Sequence, residues 1–100
     1  MTVQMLRFTT SEANATEVES AIATMMAAIA EARPAGIRYA ACRVADDPAY
    51  LLILESADGV ENPLPAIAEA RAFQQRLPGW ALEPAAPAPV TVLGSYGFHS

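Results

Sequence analysis

The chain has 100 residues, 53% of them apolar, which predicts one domain spanning residues 1–100 around one core. Its net charge is −5 and its six lysine and arginine residues are scattered, which argues against a nucleic-acid partner, because such surfaces need clustered basic side chains. The single cysteine, Cys42, excludes an intrachain disulfide and a cysteine-rich metal site.

The same composition bears on the compartment and on assembly. No apolar run reaches the roughly 18 residues of a membrane span, so we expect no membrane partner. One cysteine is typical of a reducing compartment, and we therefore expect a cytoplasmic protein. A chain of this length buries a modest core, so pairing with a second subunit would add stability.

The first two predicted elements are a strand and a helix. Residues 3–9 form a short apolar, partly alternating run, which predicts a strand. Asn14 is a good capping residue, so a helix is expected to begin near Ala15 and to end before Pro34 and Gly36. Its apolar positions recur at helical spacing and should face the sheet: Val18, Ile22, Met25 and Ile29.

A hairpin is predicted next. Residues 37–44 and 50–55 form two strand candidates, and residues 46–48, Asp-Asp-Pro, favour a tight turn between them. The second strand contains four consecutive apolar residues, 51–54, which is typical of a central strand covered on both faces.

The last predicted elements are a helix, a loop and a strand. The helix should follow Asn62 and Pro63 and end at Pro78 and Gly79. The proline-rich residues 80–89 predict a stiff loop. The final strand is expected to contain Val90, Val92, Leu93, Tyr96 and Phe98.

The order of these elements predicts the fold class. Strand, helix, strand, strand, helix, strand is an α+β arrangement, the ferredoxin-like βαββαβ fold with an antiparallel sheet. Two helices can cover only one face of such a sheet, so we expect a second copy of the chain to cover the other. The residues predicted to need that cover include Leu52, Leu54, Val92 and Tyr96.

The middle of the chain carries a more specific pattern. Gly36 precedes a strand with Tyr39, an Asp47-Pro48 turn follows, and the apolar strand of residues 50–55 ends in glutamate, with Ala-Phe-Gln at residues 72–74. This pattern resembles the antibiotic biosynthesis monooxygenase family. The resemblance implies a homodimer whose two sheets form a dimeric α/β barrel, with a small-molecule cavity between sheet and helices in each protomer.

The resemblance also bears on chemistry. Some members of that family oxidise polyketide-like aromatic substrates with oxygen and no metal or flavin, and some degrade haem. Many carry a tryptophan and a histidine where this chain has Ala57 and Ala72. Without that histidine there is no evident axial ligand for haem, so we expect no cofactor. His99, the sole histidine, is interpreted as a surface group close to the last residue.

Five side chains are candidates for binding a substrate, whereas no catalytic residue is identified. Arg38 and Tyr39 point to opposite faces of their strand, and the alternative interpretation is an exposed Arg38 and a core Tyr39. Asn62 could bind a ligand carbonyl or cap a helix. Phe73 and Trp80 could form a pocket wall, or fill the core and seal its edge.

Two functions are consistent with the sequence. The first is cofactor-independent oxidation of a small aromatic, polyketide-like substrate, which the resemblance implies. The alternative is a noncatalytic dimeric module that binds a small apolar or aromatic ligand or only associates, which the two alanines at family positions favour.

Overall fold

The computed structural model describes residues 1–97 and contains four strands and two helices in that range. In chain order these are β1 (Thr2–Thr9), α1 (Glu12–Ala32), β2 (Ile37–Arg43), β3 (Ala49–Ser56), α2 (Ala68–Trp80) and β4 (Ala88–Val90). The sheet order is β2-β3-β1-β4, and every neighbouring pair is antiparallel. The predicted α+β, ferredoxin-like fold is therefore confirmed.

The core lies between one face of the sheet and the two helices. The predicted stripe of α1 provides much of it, since Val18, Met25 and Ile29 are buried and Ile22 packs against them. The strands β1 and β3 contribute the side chains that face the helices, and α2 contributes its buried side chains. These contributions are Leu6, Phe8, Tyr50, Leu52, Leu54, Ala70, Phe73, Leu77 and Trp80.

Helix α1 begins earlier than predicted. It starts at Glu12 rather than near Ala15, and Asn14 lies within its first turn, donating its backbone N–H to the Ser11 carbonyl at 3.0 Å. No side-chain hydrogen bond caps this end, so the helix is stabilised by burial of its apolar stripe rather than by a cap. The end agrees with the prediction: Arg33 takes a left-handed conformation with φ 49°, and its N–H donates to the Ile29 carbonyl.

The predicted hairpin is confirmed, with the turn at residues 44–48. Neighbouring side chains of β3 alternate between the two faces: Leu52 and Leu54 are buried under the helices, whereas Leu51 and Ile53 are half-buried on the opposite face. The prediction that a second copy must cover Leu52 and Leu54 is therefore wrong, because the helices of the same chain cover them. Their neighbours Leu51 and Ile53 occupy the opposite face instead.

Helix α2 is displaced toward the C-terminus relative to its prediction. A 3₁₀ turn, Leu64–Ala66, comes first, and α2 continues through Pro78 and Gly79 to Trp80. Proline lacks the N–H that the helix would use here, but the last turn is retained because Trp80 is buried and its carbonyl accepts a 2.8 Å hydrogen bond from the Thr10 hydroxyl.

The last strand lies earlier than predicted. β4 is Ala88–Val90, paired with residues 3–5 of β1, and its position at the sheet edge tolerates Pro89, which has no N–H to donate. Val92, Leu93 and Tyr96 belong to no strand, and Leu93 and Tyr96 are 96% and 97% exposed. Phe98 and His99 lie outside the described residues. Within residues 1–97, neither helix combines the length and apolar character needed to cross a bilayer.

Candidate functional site

A cavity opens between the helix side of the sheet and the segment that leads into α2. Its volume is about 50 Å³, and the space between its lining residues reaches about 350 Å³ when the open mouth is included. Strands β1, β2 and β3 form the floor, the segment before α2 forms one wall, and the connector to β4 borders the mouth. The lining residues are Gln4, Met5, Leu6, Tyr39, Leu52, Leu54, Asn62, Leu64, Gln74 and Pro87, of which Met5 belongs by strand register to the opposite face of the sheet.

The lining of this cavity carries no charged side chain. Tyr39 is the sole titratable residue among those ten, and burial raises the pKa of its hydroxyl to about 12. At neutral pH it is therefore a hydrogen-bond donor that does not ionise and cannot act as a base. A cavity with this lining can bind and orient a ligand, but none of these side chains can abstract a proton near pH 7.

The remaining polar groups of the cavity are amides. The Asn62 side-chain oxygen accepts a 3.0 Å hydrogen bond from the Leu64 N–H, so the capping role considered for this residue is present. That bond uses the oxygen of Asn62 and leaves its NH₂ group as a donor. Gln4 and Gln74 add one amide each, from β1 and α2 respectively.

Two of the five candidate binding residues meet in this cavity, and three lie elsewhere. Tyr39 and Asn62 line it, whereas Phe73 and Trp80 are buried in the core beside it. The ring centroid of Phe73 lies 6.3 Å from Phe8 and 5.5 Å from Trp80, so these three side chains form a packed aromatic cluster.

Trp80 seals the edge of this core. Its indole Nε1 donates to Glu17 Oε2 at 2.8 Å, and the Arg76 guanidinium lies over its ring, 4.5 Å from the centroid. Arg76 also forms a 3.0 Å ion pair with Glu17 Oε1. Glu17 on α1 is thus held by two side chains of α2, and Trp80 connects the helices.

Arg38 lies on the face of the sheet that the helices leave uncovered. It is exposed and pairs in register with Glu55 of β3, on the opposite side of the sheet from Tyr39. We call this surface the outer face. Strand register assigns it Val3, Met5, Arg7, Arg38, Ala40, Cys42, Leu51, Ile53, Glu55, Ala88 and Val90.

The outer face is apolar at its centre and charged at its ends. Met5 and Ile53 are paired across β1 and β3, Ala40 is paired with Ile53 from the other side, and both Met5 and Ile53 are half-buried in the single chain. A continuous apolar strip of this kind marks an association surface more often than a surface that faces water.

The family positions noted in the sequence do not line the cavity. Ala57 lies just beyond β3, and Ala72 is exposed on α2, beside a surface groove between the helices. No cluster of three His, Cys, Asp or Glu side chains that could hold a metal ion forms within residues 1–97. His99 lies outside the described residues, so no histidine can be placed at the cavity.

Sequence reasoning missed Gln4 and Gln74 as lining residues. Gln4 shares its face of β1 with Leu6 and Phe8, which are both buried, so a polar residue at this alternating position was a usable signal of a polar site. Gln74 had no such signal, because it is an ordinary exposed residue of α2. It lines the cavity only because the segment before α2 folds close to it.

Solved structures of similar fold include several named for antibiotic biosynthesis. A candidate antibiotic biosynthesis monooxygenase from Nitrosomonas europaea is 17% identical with a TM-score of 0.72, covering 94% of this chain and 100% of that one. Another antibiotic biosynthesis monooxygenase is 10% identical with a TM-score of 0.73 and the same coverage. A third, from Caulobacter crescentus CB15, is 13% identical with a TM-score of 0.66, covering 93% of this chain and 90% of that one.

These likenesses establish the fold. At 10 to 17% identity, they confirm the predicted resemblance to antibiotic biosynthesis monooxygenase structures at the level of chain topology. No protein-family model and no curated protein matches the sequence. Assembly, ligand and reaction therefore have to be argued from the residues of this chain.

Proposed function

We propose that this chain is an antibiotic-biosynthesis-monooxygenase-like protein that binds a small aromatic ligand between its sheet and α2. The observation that supports this most directly is the lining of the cavity. Leu6, Leu52 and Leu54 provide an apolar floor, while Tyr39 and Asn62 offer hydrogen-bond donors. A mostly apolar concavity with a few convergent polar groups is the usual form of a small-molecule site.

The size of the cavity limits the ligand. An engineered protein cavity of about 150 Å³ is known to hold benzene, whereas this one measures about 50 Å³. An aromatic ring therefore requires the mouth to widen, and Pro87 borders that mouth on a connector outside any helix or strand. Movement of that connector changes fewer packed contacts than movement of the sheet, and it would open the cavity toward solvent.

We further propose that the functional unit is a homodimer with the two outer faces in contact. The apolar centre of that face includes Met5, Leu51 and Ile53, which the helices cannot cover because they pack on the opposite side. Two such sheets stacked about 10 Å apart would bury these side chains. Arg38 and Glu55 at the end of the face would then lie near the rim of the contact.

The dimer is tested by sedimentation at micromolar concentration. Wild type should sediment near twice the chain mass, and Ile53→Lys should sediment as a monomer, since a charge in the contact has no partner there. Leu82→Lys is a matched control, because Leu82 is 65% exposed and belongs to none of the strands that form the outer face. A wild-type monomer, or an Ile53→Lys dimer, would contradict the proposed contact.

Cofactor-independent oxidation is a second candidate function, favoured by the names of the structural neighbours. Conversion of a phenol to a quinone by one O₂ releases one water and requires a substrate anion first. Because no lining residue is a base near pH 7, the substrate would have to ionise by itself. The rate of oxidation should then rise with pH through the substrate's own pKa, with no falling limb from a residue of the enzyme.

The experiment that separates the two functions pairs binding with oxygen consumption. A panel of phenols and their methyl ethers is titrated into the protein with NMR detection, and oxygen uptake is recorded for every compound that binds. Binding without uptake above the background rate supports the binding module. Uptake that depends on the protein and falls in Tyr39→Phe supports the oxidase. If no compound binds, or if those that bind shift only resonances remote from Tyr39, the proposed cavity is wrong.

A further inference from the structure

We infer that the cavity takes its ligand in the uncharged form and releases it when the ligand ionises. This inference rests on the proposed ligand cavity and adds the charge state that the cavity selects. It agrees with the binding module and counts against oxidation in this cavity, which would need a bound substrate anion. It concerns weakly acidic aromatic compounds, such as phenols, that are neutral at low pH and anionic at higher pH.

No cation is among the residues that line the cavity. The sheet contributes Gln4, Leu6, Tyr39, Leu52 and Leu54, none of which is positively charged. The segment before α2, the helix itself and the connector contribute only uncharged residues as well. An anion in this cavity would lose its hydration without gaining a charged partner within the described residues, and that loss is costly.

The arginines close to the cavity point elsewhere. Arg7 and Arg38 belong to the outer face, behind the sheet, and Arg43 at the end of β2 donates to Glu19 of α1 at 2.6 Å. On α2, Arg71 donates to the Pro65 carbonyl at 2.8 Å, and Arg76 is occupied by Glu17 and Trp80. Their positions leave the cavity floor without a nearby positive charge to hold an oxyanion.

The cavity lining already contains one phenol, the side chain of Tyr39. Burial raises the pKa of its hydroxyl to about 12. A bound phenol has the same chemistry, and it displaces further water on entry, so its anion should be disfavoured in the same way.

Two small aromatic probes test this inference. 4-Nitrophenol ionises near neutral pH and gains a visible absorption band when it does, whereas 4-nitroanisole, its methyl ether, does not ionise. The dissociation constants of both are measured by NMR titration of the full chain between pH 5 and about 9, where Tyr39 stays neutral. Absorbance reports the charge state of the bound 4-nitrophenol.

The expected result is a divergence of the two probes with pH. The affinity for 4-nitrophenol should fall about tenfold for each pH unit above its pKa, because only the neutral fraction binds. The affinity for 4-nitroanisole should stay constant. Addition of protein near the pKa of 4-nitrophenol should weaken the visible band, since binding withdraws the neutral form.

A charge-addition variant makes the test sharper. Gln74→Lys places an ammonium group at the mouth and should raise the affinity for the nitrophenolate anion about tenfold. Gln75→Lys is the matched control: Gln75 is also exposed on α2 but does not line the cavity, so this variant should behave as wild type.

The outcomes separate this inference from the proposed function. If both probes bind and 4-nitrophenol keeps its affinity above its pKa, the inference is overturned and the ligand cavity stands. If neither probe binds at any pH, the ligand cavity is wrong and the inference falls with it. If Gln74→Lys and Gln75→Lys raise anion affinity equally, the effect comes from net charge rather than from the cavity, which also overturns the inference.

Discussion

Trp80→Phe is the variant that best tests how the core edge is built. Trp80 was a candidate wall of the binding site, but in the structure it is 6% exposed and packs on Phe73 outside the ligand cavity. We expect the variant to lose stability and to keep ligand binding. Phenylalanine retains a ring against Phe73, so the fold should persist and the loss should be measurable.

The size of the loss follows from the contacts of the indole. Truncation of a buried aromatic side chain to alanine costs about 3–5 kcal/mol, and phenylalanine should retain more than half of that packing. The variant also loses the hydrogen bond from Nε1 to Glu17, worth about 1 kcal/mol at this partly solvated position. Together these give a loss near 2 kcal/mol, or about 8–16 °C in Tm for a domain of this size.

The assay is urea unfolding followed by circular dichroism, since Trp80 is the sole tryptophan and its fluorescence disappears in the variant. Glu17→Gln is the control, because it keeps an oxygen acceptor for the indole while removing the half-exposed ion pair with Arg76. It should change stability by less than about 1 kcal/mol. A Trp80→Phe protein as stable as wild type, but unable to bind the 4-nitroanisole probe, would refute this assignment and make Trp80 a ligand contact.

Three other side chains carry equally specific expectations. Tyr50→Phe should cost about 1 kcal/mol in urea unfolding, because the hydroxyl loses its 2.8 Å bond to Glu19 while Arg43 still holds that carboxylate. Because the pKa of Tyr39 is 10.0 in the unfolded chain and about 12 in the folded one, its contribution to stability is complete below pH 10.0 and is lost as the pH rises toward 12. The unfolding free energy of Tyr39→Phe should therefore decrease less steeply with alkaline pH than that of wild type. Leu64→Ala should cost about 2–5 kcal/mol yet tighten 4-nitroanisole binding by widening the cavity; unchanged or weaker affinity would count against the size argument.

Periodicity predicted the central elements well because packing decides them. The stripe of α1 and the apolar run of β3 each place several large side chains in the core, and burial of each is worth about 1.5–3 kcal/mol. Local signals decided less. Asn14 looks like a cap but lies inside α1, and Pro78 looks like a stop but lies inside α2, because burial of Val18 and Trp80 outweighs one capping bond or one missing N–H.

The candidate site was predicted only in part, for a geometric reason. Strand alternation correctly separated Arg38 from Tyr39, and Asn62 was considered as both a cap and a ligand contact before the cavity placed it on the lining. The sequence left Phe73 and Trp80 open between a pocket wall and the core, because aromatic residues on a helix fit both equally well, and the structure buries both in the core beside the cavity. Which of the two holds depends on the side of α2 on which the cavity opens. That side is set by tertiary packing and cannot be read from the local sequence.

Alternation along two adjacent strands links the proposed assembly to the proposed site. In β2, Arg38 belongs to the outer face and Tyr39 to the cavity, and in β3 Ile53 and Leu54 divide in the same way. Residues that contact the partner through the outer face would therefore be adjacent in sequence to Tyr39 and Leu54, which form part of the cavity floor. Since sheets resist bending once both faces are packed, a dimer would stiffen that floor and leave widening to the connector around Pro87. The ligand would then enter where the chain has least regular structure, and the floor would keep Tyr39 at a fixed place beneath it.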